Sequence, residues 1–470
     1  MENQTLQRLR QGEPLALTDL LLLTLQLSIP AILAQVSTVV MEFIDASMLG
    51  HLGSNEAAAI GLVSSSTWLM GGMCSALFTG FNVQIAHAIG AQREDRARAI
   101  VRQGLALTLL FTLVLAVIGA AISSPLPRWL GGGEEVAADA SRYFLIYTLF
   151  FPASMLGWQA SGMLQCSGNM RLPGVVQSVM CALDVVFNAL LIFPTRTVTL
   201  LGFSIPMPGA GLGVTGAALG TGLSELAGGG FLLWYLLRRS SSLRLRRGER
   251  LKWNPDTLKT VLRIGLPVGF EQVVMSMAQV VSTRIVSPLG VIAIAAHTFS
   301  ISIESLCYMP GYGIGSAATT LIGQSIGAKR QDVTRTLAWL TTLTGMAVMT
   351  CTGVLMYCFA PQMIGLMSPD PAIRDLGGAV LRIEAFAEPL YAASIVASGV
   401  LRGAGDTLVP SVLNFASIWL VRLPLAAFLA SGMGLRGVWL AMCVELCLRG
   451  VLMLVRMGRK RWESVHDVIR

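Results

Sequence analysis

Charge is what this chain has least of. Only 13% of its 470 residues are Asp, Glu, Lys or Arg, against 54% hydrophobic, whereas an ordinary soluble domain carries about 25% charged residues. With a mean hydropathy of +0.66, that scarcity excludes a soluble enzyme. Histidine is rarer still: His51, His87, His297 and His466 are scattered, with no metal-ligand spacing. None of the eight cysteines sits in a C-x-x-C pair, and Cys443 and Cys447 are merely one helical turn apart. All eight fall within or at the ends of apolar segments, where cysteine behaves as a small hydrophobe, so no disulfide framework is implied. The Gly-rich run 209–222 holds no phosphate-loop lysine, which argues against an ATP-driven pump. Residues 1–20 carry Arg8, Arg10, Glu13 and Asp19 and no small-residue cleavage site after an apolar run, so no cleaved signal peptide is expected.

Apolar length is what the chain has in quantity. A spanning helix needs roughly 20 mainly apolar residues. The first half offers such segments at 18–46, 57–88, 100–123, 138–165, 173–195 and 210–237. The second half offers 258–286, 292–324, 333–359, 375–401, 408–430 and 434–457. Turn-forming groups such as GHLGSN, GGGEE and MSPDP punctuate their ends. The prediction is an all-α integral membrane protein with twelve transmembrane helices. A net charge of +8 could suit nucleic acid, but its placement does not. Arginines gather at Arg93, Arg96, Arg98 and Arg102, then from Arg238 to Arg263, around Arg330, and from Arg456 to Arg461. The connections 51–57 and 287–290 hold no Lys or Arg. By the positive-inside rule this asymmetry puts both termini on the cytoplasmic side of the inner membrane.

The two halves are copies. A shift of 237 residues aligns Pro30 with Pro267, Gln35 with Gln272, and Leu52-Gly53 with Leu289-Gly290. It also aligns GAQREDRAR at Gly90 with GAKRQDVTR at Gly327, Pro152 with Pro389, and Pro173 with Pro410. The register breaks near Ile205 to Gly209, after which Gly213 and Gly216 match Gly434 and Gly437 at a shift of 221. Six spans per half is an even number, so the halves start on the same side and form parallel repeats about an axis along the membrane normal. The expected domains are an N-terminal six-helix bundle, 1–237 (membrane from 18), a cytoplasmic basic linker, 238–257, and a C-terminal six-helix bundle with a short tail, 258–470. Two such bundles flanking a cleft suit an alternating-access transporter.

Acids inside the spans carry the chemistry, because an ionisable side chain in hydrocarbon costs a few kcal/mol or more and marks an ion or proton path. Asp45 lies deep in the first span, with Glu42 one turn earlier; its repeat position is Ser282. Asp184 and Asn188 share one face of the fifth span at i, i+4. Thr221 and Glu225 repeat that spacing in the sixth. Carboxylates with amide and hydroxyl oxygens can exchange a proton or hold a small hard cation; as neutral groups they can also simply join helices. The second half has Glu271, Glu304 and Glu388, one in each of three spans, and Arg422 deep in the eleventh. A cation-attracting cavity wall and structural pairing with Arg422 both remain open. Methionines such as Met275, Met277 and Met309 could line an adaptable pocket, though most serve packing.

Two six-span halves, P-x14-D in the first span, the Leu52-Gly53 turn and G-A-x-R-x-D after the second resemble the multidrug and toxic compound extrusion (MATE) family. DVVFNALLIF from Asp184 and GVTGAALGT from Gly213 add to the match. The resemblance implies an antiporter that exports bulky, cationic or amphipathic organic compounds in exchange for protons or sodium, with no cofactor. It implies a coupling site at Asp45, Asp184, Asn188 and Thr221, where sodium would bind, and a flexible point at Pro30. It leaves Glu271, Glu304 and Glu388 as a substrate-cavity wall. The chain departs from the family pattern in three places. Some members place Asn before Asp in the fifth span, a tyrosine where Met41 stands, and a glutamate where Met275 stands; Glu271 lies one turn before Met275.

The expected partners are small organic compounds and the bilayer, with no nucleic acid and a monomeric state. Two other readings stand beside the antiporter. A lipid-linked-oligosaccharide flippase of the same superfamily would need a cavity rich in Arg or Lys. A polytopic membrane enzyme would need a nucleophile or His–acid constellation that the spans lack.

Overall fold

The computed structural model describes residues 4–50, 52–200, 203–246, 248–459 and 462. His51, Arg247, Arg461 and His466 therefore lie outside the described residues. In the first half the chain forms α1 (Gln4–Gln11), α2 (Leu17–Gly50), α3 (Ser54–Gly90), α4 (Glu94–Ile122) and a short α5 (Leu126–Trp129). It continues with α6 (Glu134–Cys166), α7 (Arg171–Ile192), strands β1 (Pro194–Leu200) and β2 (Phe203–Ala210), and α8 (Gly213–Arg238). The second half forms α9 (Pro255–Val286), α10 (Val291–Gly327), α11 (Gln331–Gly365), α12 (Pro371–Glu384) and α13 (Glu388–Gly403). It ends with α14 (Leu408–Ala416), α15 (Leu423–Met433) and α16 (Leu435–Gly458).

Among the described residues, nine helical stretches are long and apolar enough to cross a membrane. They account for α2, α3, α4, α7, α9, α10, α11, the α14–α15 rod and α16. The other three expected spans are helical but more polar or broken. The N-terminal turns of α6 hold Glu134, Glu135, Asp139 and Arg142. Glycine recurs along α8, which thins its hydropathy while allowing close packing. The expected span 375–401 is two helices, α12 and α13, separated at Ala385–Ala387. Pro389 explains the break, since proline offers no N–H to the preceding turn and disfavours helix at the residue before it. The span 408–430 is likewise interrupted, by a π segment at Ser417–Arg422 just before Pro424.

Among the described residues, the one departure from an all-helical plan is the pairing of β1 with β2, antiparallel, with Leu200 opposite Phe203. It occupies the stretch where the repeat register slips. PTRTVTL is rich in β-branched residues, which fit a pleated strand better than a helix.

The halves meet at the end that carries the linker. There α3 packs on α9 and α10, and α2 on α10, with backbone almost touching backbone. A Cβ on Gly80 would lie 2.8 Å from the Val261 carbonyl oxygen, and one on Gly265 2.6 Å from that of Ala76. Two of the hydrogen bonds across this seam are related by the 237-residue shift. His87 Nε2 lies 2.7 Å from the Gly403 carbonyl oxygen, and Gln324, at the position matching His87, donates to the Cys166 carbonyl oxygen, also at 2.7 Å. Helix α1 lies over the same end: Leu6 and Leu9 are buried, and Arg10 donates to Gln324 Oε1 (3.1 Å) and the Ser167 carbonyl oxygen (2.9 Å). The linker itself is tied back by Glu249, which pairs with Arg98 (3.0 Å) and Arg102. Burial pushes the Glu249 carboxyl up, but bonds from Arg98 and the Arg246 backbone and the charge of Arg102 outweigh it and hold it below the usual range. Toward the opposite end the large apolar side chains turn outward, as with Trp68, Met277, Val280 and Val291.

Candidate functional site: a carboxylate chain in the first half and a cavity between the halves

Helices α2 and α7 are joined by a ladder of polar contacts, the kind that holds helices together where lipid offers no alternative partner. Ser37 and Ser178 are 2.9 Å apart, and Gln177 donates to Thr38 Oγ1 at 3.2 Å. The ladder ends at Asn188. Its Nδ2 donates to Asp45 Oδ1 at 2.8 Å and to Asp184 Oδ2 at 2.9 Å. One nitrogen thus bridges two carboxyl groups from different helices, which places those oxygens within about 6 Å of each other, inside the range where charges interact strongly. Ser224 of α8 closes the chain by donating to Asp184 Oδ1 at 3.1 Å.

Burial is graded along this chain: Asp184, Asn188 and Ser224 are buried, Asp45 is half-buried, and Glu42 is exposed. The close approach of α8 depends on glycine. A Cβ on Gly220 would sit 2.0 Å from Asn188 Oδ1, so any other residue would push the amide aside. Pro30 is held in a similar way, because a Cβ on Gly174 of α7 would lie 2.6 Å from the Pro30 carbonyl oxygen. Helix α2 runs through Pro30, one ladder bond short, because proline has no N–H.

Of the residues expected at the coupling site, Asp45, Asp184 and Asn188 come together. Thr221 lies one turn before Ser224 and supplies its carbonyl oxygen to the Ser224 hydroxyl at 2.8 Å. The side chain that reaches Asp184 is Ser224, which the sequence reading passed over. Its signal was available: Ser224 is i+3 from Thr221 and i+4 from Gly220, on the face of α8 that meets α7. Glu225, the next residue, points to a second pocket beside Trp158 and Gln177.

The second-half acids occupy two places. Glu271 lines a cavity of about 260 Å³ between the halves, together with Gln35, Asn82, Gln165 and Arg402. Its carboxylate is heavily engaged. Arg402 Nη2 donates to both oxygens (3.1 and 3.2 Å), Ser411 to Oε2 (2.8 Å) and Asn414 to Oε1 (2.5 Å). Glu304 and Glu388 lie outside that lining. They are buried in the second half with Glu384 and Glu445, and no hydrogen-bond partner reaches the carboxyl oxygens of Glu384 or Glu388 among the described residues. Arg422, for which a structural pairing with Glu388 or Glu384 was the alternative, has its Nη2 2.5 Å from Met442 Sδ. His297 accepts from the indole of Trp439 at 3.1 Å, a contact that joins α10 to α16.

Comparison with known proteins agrees with this architecture. A NorM described as a probable multidrug resistance protein, from Thermotoga maritima, is 27% identical over 94% of this chain and 92% of its own length. Its namesake from Neisseria meningitidis serogroup B is 26% identical over 94% of both chains. The fold matches a solved outward-facing multidrug resistance MATE family transporter at a TM-score of 0.87, with 21% identity over 99% of both chains. It also matches the Vibrio cholerae MATE transporter VcmN in its bent form at 0.84, with 18% identity over 97% of this chain and 99% of that one. The MatE family profile fits residues 30–190 and again 267–428, two blocks that begin at the paired prolines Pro30 and Pro267 and cover well over half of the sequence. A multi-pass helical membrane protein with a doubled profile and these relatives is a member of the MatE family of multidrug efflux transporters.

Proposed function

We propose that this chain is a secondary active antiporter that exports bulky amphipathic organic compounds in exchange for protons or sodium, by rocking two parallel six-helix repeats about the cavity between them. The observation that carries this reading is the chain Asp45–Asn188–Asp184–Ser224, which ties three helices together through one amide. Two carboxyl groups held by a shared donor can take up and release a proton, and in doing so change which of them the amide favours. If the Asn188 amide turns over, its oxygen joins the carboxylates and the Ser224 hydroxyl in an all-oxygen set suited to a small hard cation. Either event alters the grip of α7 on α2 above Pro30, where the helix ladder is already short of a bond.

The closed seam lies at the linker end. With the linker and both termini in the cytoplasm, as the arginine distribution favours, the described state faces outward. Single cysteines test that orientation. Ala372→Cys should react with an impermeant maleimide added from the periplasmic side and Ser241→Cys should not; the reverse labelling would discard it.

The coupling role is tested with Asp45→Asn in proteoliposomes carrying an imposed sodium or pH gradient. The amide fits the same space but can neither exchange a proton nor balance a cation, so gradient-driven efflux should be abolished while the protein stays folded and inserted. Efflux near the wild-type rate would sink the coupling role and return Asp45 to helix packing.

A further inference from the structure

The charges lining the central cavity run opposite to what a cation exporter needs. One carboxylate, Glu271, and two guanidinium groups, Arg402 and Arg449, line it; the remaining lining residues are uncharged. An ionised carboxylate offers about four acceptor sites, and Glu271 already accepts four hydrogen bonds, from Arg402, Ser411 and Asn414. It has little left for a positively charged ligand. The arginines are less spent. Arg402 bonds Glu271 through Nη2 alone, its Nε has no partner among the described residues, and 28% of its side chain is exposed. Arg449 lies 3.0 Å from Glu445 Oε1, without the alignment of a hydrogen bond, and its guanidinium stacks over the Tyr391 ring at 5.6 Å. Glu445 pairs with Arg449 from outside the lining, and Glu304 and Glu388 also stand outside it, so the charged groups that reach the cavity surface are Glu271 and the two guanidiniums.

We propose that the central cavity takes an amphipathic substrate through an oxyanion group, a carboxylate, sulfonate or phosphate, held by Arg402 and Arg449. This rests on the export reading above and assigns the substrate's charge within it. Guanidinium presents paired N–H donors that match the two oxygens of such a group. The amides of Gln35 and Asn82 can bond the polar part of the same molecule, beside Gln165, whose Oε1 accepts from Ser316 at 2.8 Å, and Met275, Ile395 and Tyr312 supply apolar surface. Arg402 stands at the position that matches Gln165 in the first half, so the two copies contribute an uncharged and a charged donor to opposite walls. The cation, in this scheme, belongs to the carboxylate chain of the first half, and the organic anion to the cavity.

The experiment is equilibrium binding to the full chain in nanodiscs, with radiolabelled cholate, dioleoyl phosphatidic acid and tetraphenylphosphonium as probes, each corrected for partitioning into protein-free nanodiscs. Wild type should bind an anionic probe more tightly than tetraphenylphosphonium, and the anionic arms separate a free carboxylate from a lipid phosphate. Arg402→Gln should weaken the favoured anion about tenfold or more, the scale of a lost charge-assisted bond, and strengthen tetraphenylphosphonium by uncovering Glu271. Glu271→Gln should do the reverse and tighten the anion. That crossed pattern is one a purely structural pair would not give, and Arg402→Lys should restore part of the anion binding. Should Arg402→Gln misfold on size-exclusion chromatography, the Glu271→Gln and Arg402→Lys arms still decide. Tighter binding of tetraphenylphosphonium by wild type, or no change in preference among the variants, overturns the proposal. Asp45→Asn keeps the two readings apart: lost gradient-driven efflux with unchanged probe preference leaves the antiport reading standing whichever probe wins.

Discussion

The two halves descend from one plan and spend their buried polar groups differently. In the first half they form a continuous chain: Asp45 of α2, Asn188 and Asp184 of α7, Ser224 of α8, each bonded to the next. At the matching positions the second half has Ser282 for Asp45, Val421 for Asp184, Leu425 for Asn188 and Glu445 for Ser224. Apart from Glu445, which pairs with Arg449, its buried acids stand elsewhere: Glu271 is saturated, and Glu384 and Glu388 are buried without hydrogen bonds among the described residues. An unpaired buried carboxyl is expensive to ionise, and a saturated one is fixed in place. A chain in which one amide serves two carboxyls is neither, since one proton or one cation redistributes its bonds. In the antiport reading proposed above, this asymmetry puts ion exchange in one copy and leaves the other to shape the cavity.

The largest effect should come from the centre of that chain. Asn188→Leu removes both bridging bonds at once and leaves two carboxyl groups facing an apolar side chain. Removing one partner of a buried charged contact costs about 3–5 kcal/mol, so a clear loss of thermal stability is expected. Gradient-driven efflux per folded molecule should fall at least about tenfold, the rate equivalent of about 1.4 kcal/mol. Efflux within a factor of two of wild type would mean that the first-half residues do not act as a unit.

How much of this could be read beforehand divides along the same line. The helical membrane class, nine of the expected spans and the meeting of Asp45, Asp184 and Asn188 were legible, because a carboxylate in an apolar run stands out and i, i+4 spacing fixes its face. Ser224 was legible only as a position on the right face of α8, one turn after Thr221; that its hydroxyl and not that of Thr221 reaches Asp184 takes the packed distance. The helix breaks at Ala385–Ala387 and Ser417–Arg422 sit beside Pro389 and Pro424, and the prolines were visible, but Pro30 and Pro310 lie inside unbroken helices. Tertiary packing, not local propensity, decides which proline interrupts. The engagement of Glu271 by Arg402 lay furthest out of reach: 131 residues separate them, and no spacing in the sequence points from one to the other.

A smaller effect should separate the second-half acids from the first. Glu388→Gln exchanges a buried carboxyl that lacks partners for a neutral amide of the same size. The exchange removes the cost of ionising a buried group without changing its volume, so thermal stability should hold or rise and efflux should stay within about threefold of wild type. The readouts are a thermal shift in detergent and transport in proteoliposomes. A collapse of efflux as complete as that expected for Asp45→Asn would give the second half a share in coupling and break the contrast between the copies.

The smallest effect tests the comparison at its origin. Ser282 stands in α9 at the position Asp45 holds in α2, and it is buried beside an apolar cluster that includes Ala278 and Ile418. If the acid alone distinguishes the working copy, the hydroxyl left in the other carries none of the exchange. Ser282→Ala then removes at most one neutral hydrogen bond, worth about 0.5–1.5 kcal/mol, from a site where alanine packs equally well. Efflux should remain within about twofold of wild type under both a sodium and a pH gradient, and the dependence of rate on each ion should be unchanged. Transport measured against the ion concentration discriminates better than the maximal rate alone, because a residual ligand at Ser282 would weaken the apparent ion affinity before it slowed the cycle. A shift of that affinity by tenfold in the alanine variant would place an ion at the second copy as well, and the two halves would have to be treated as two coupled sites.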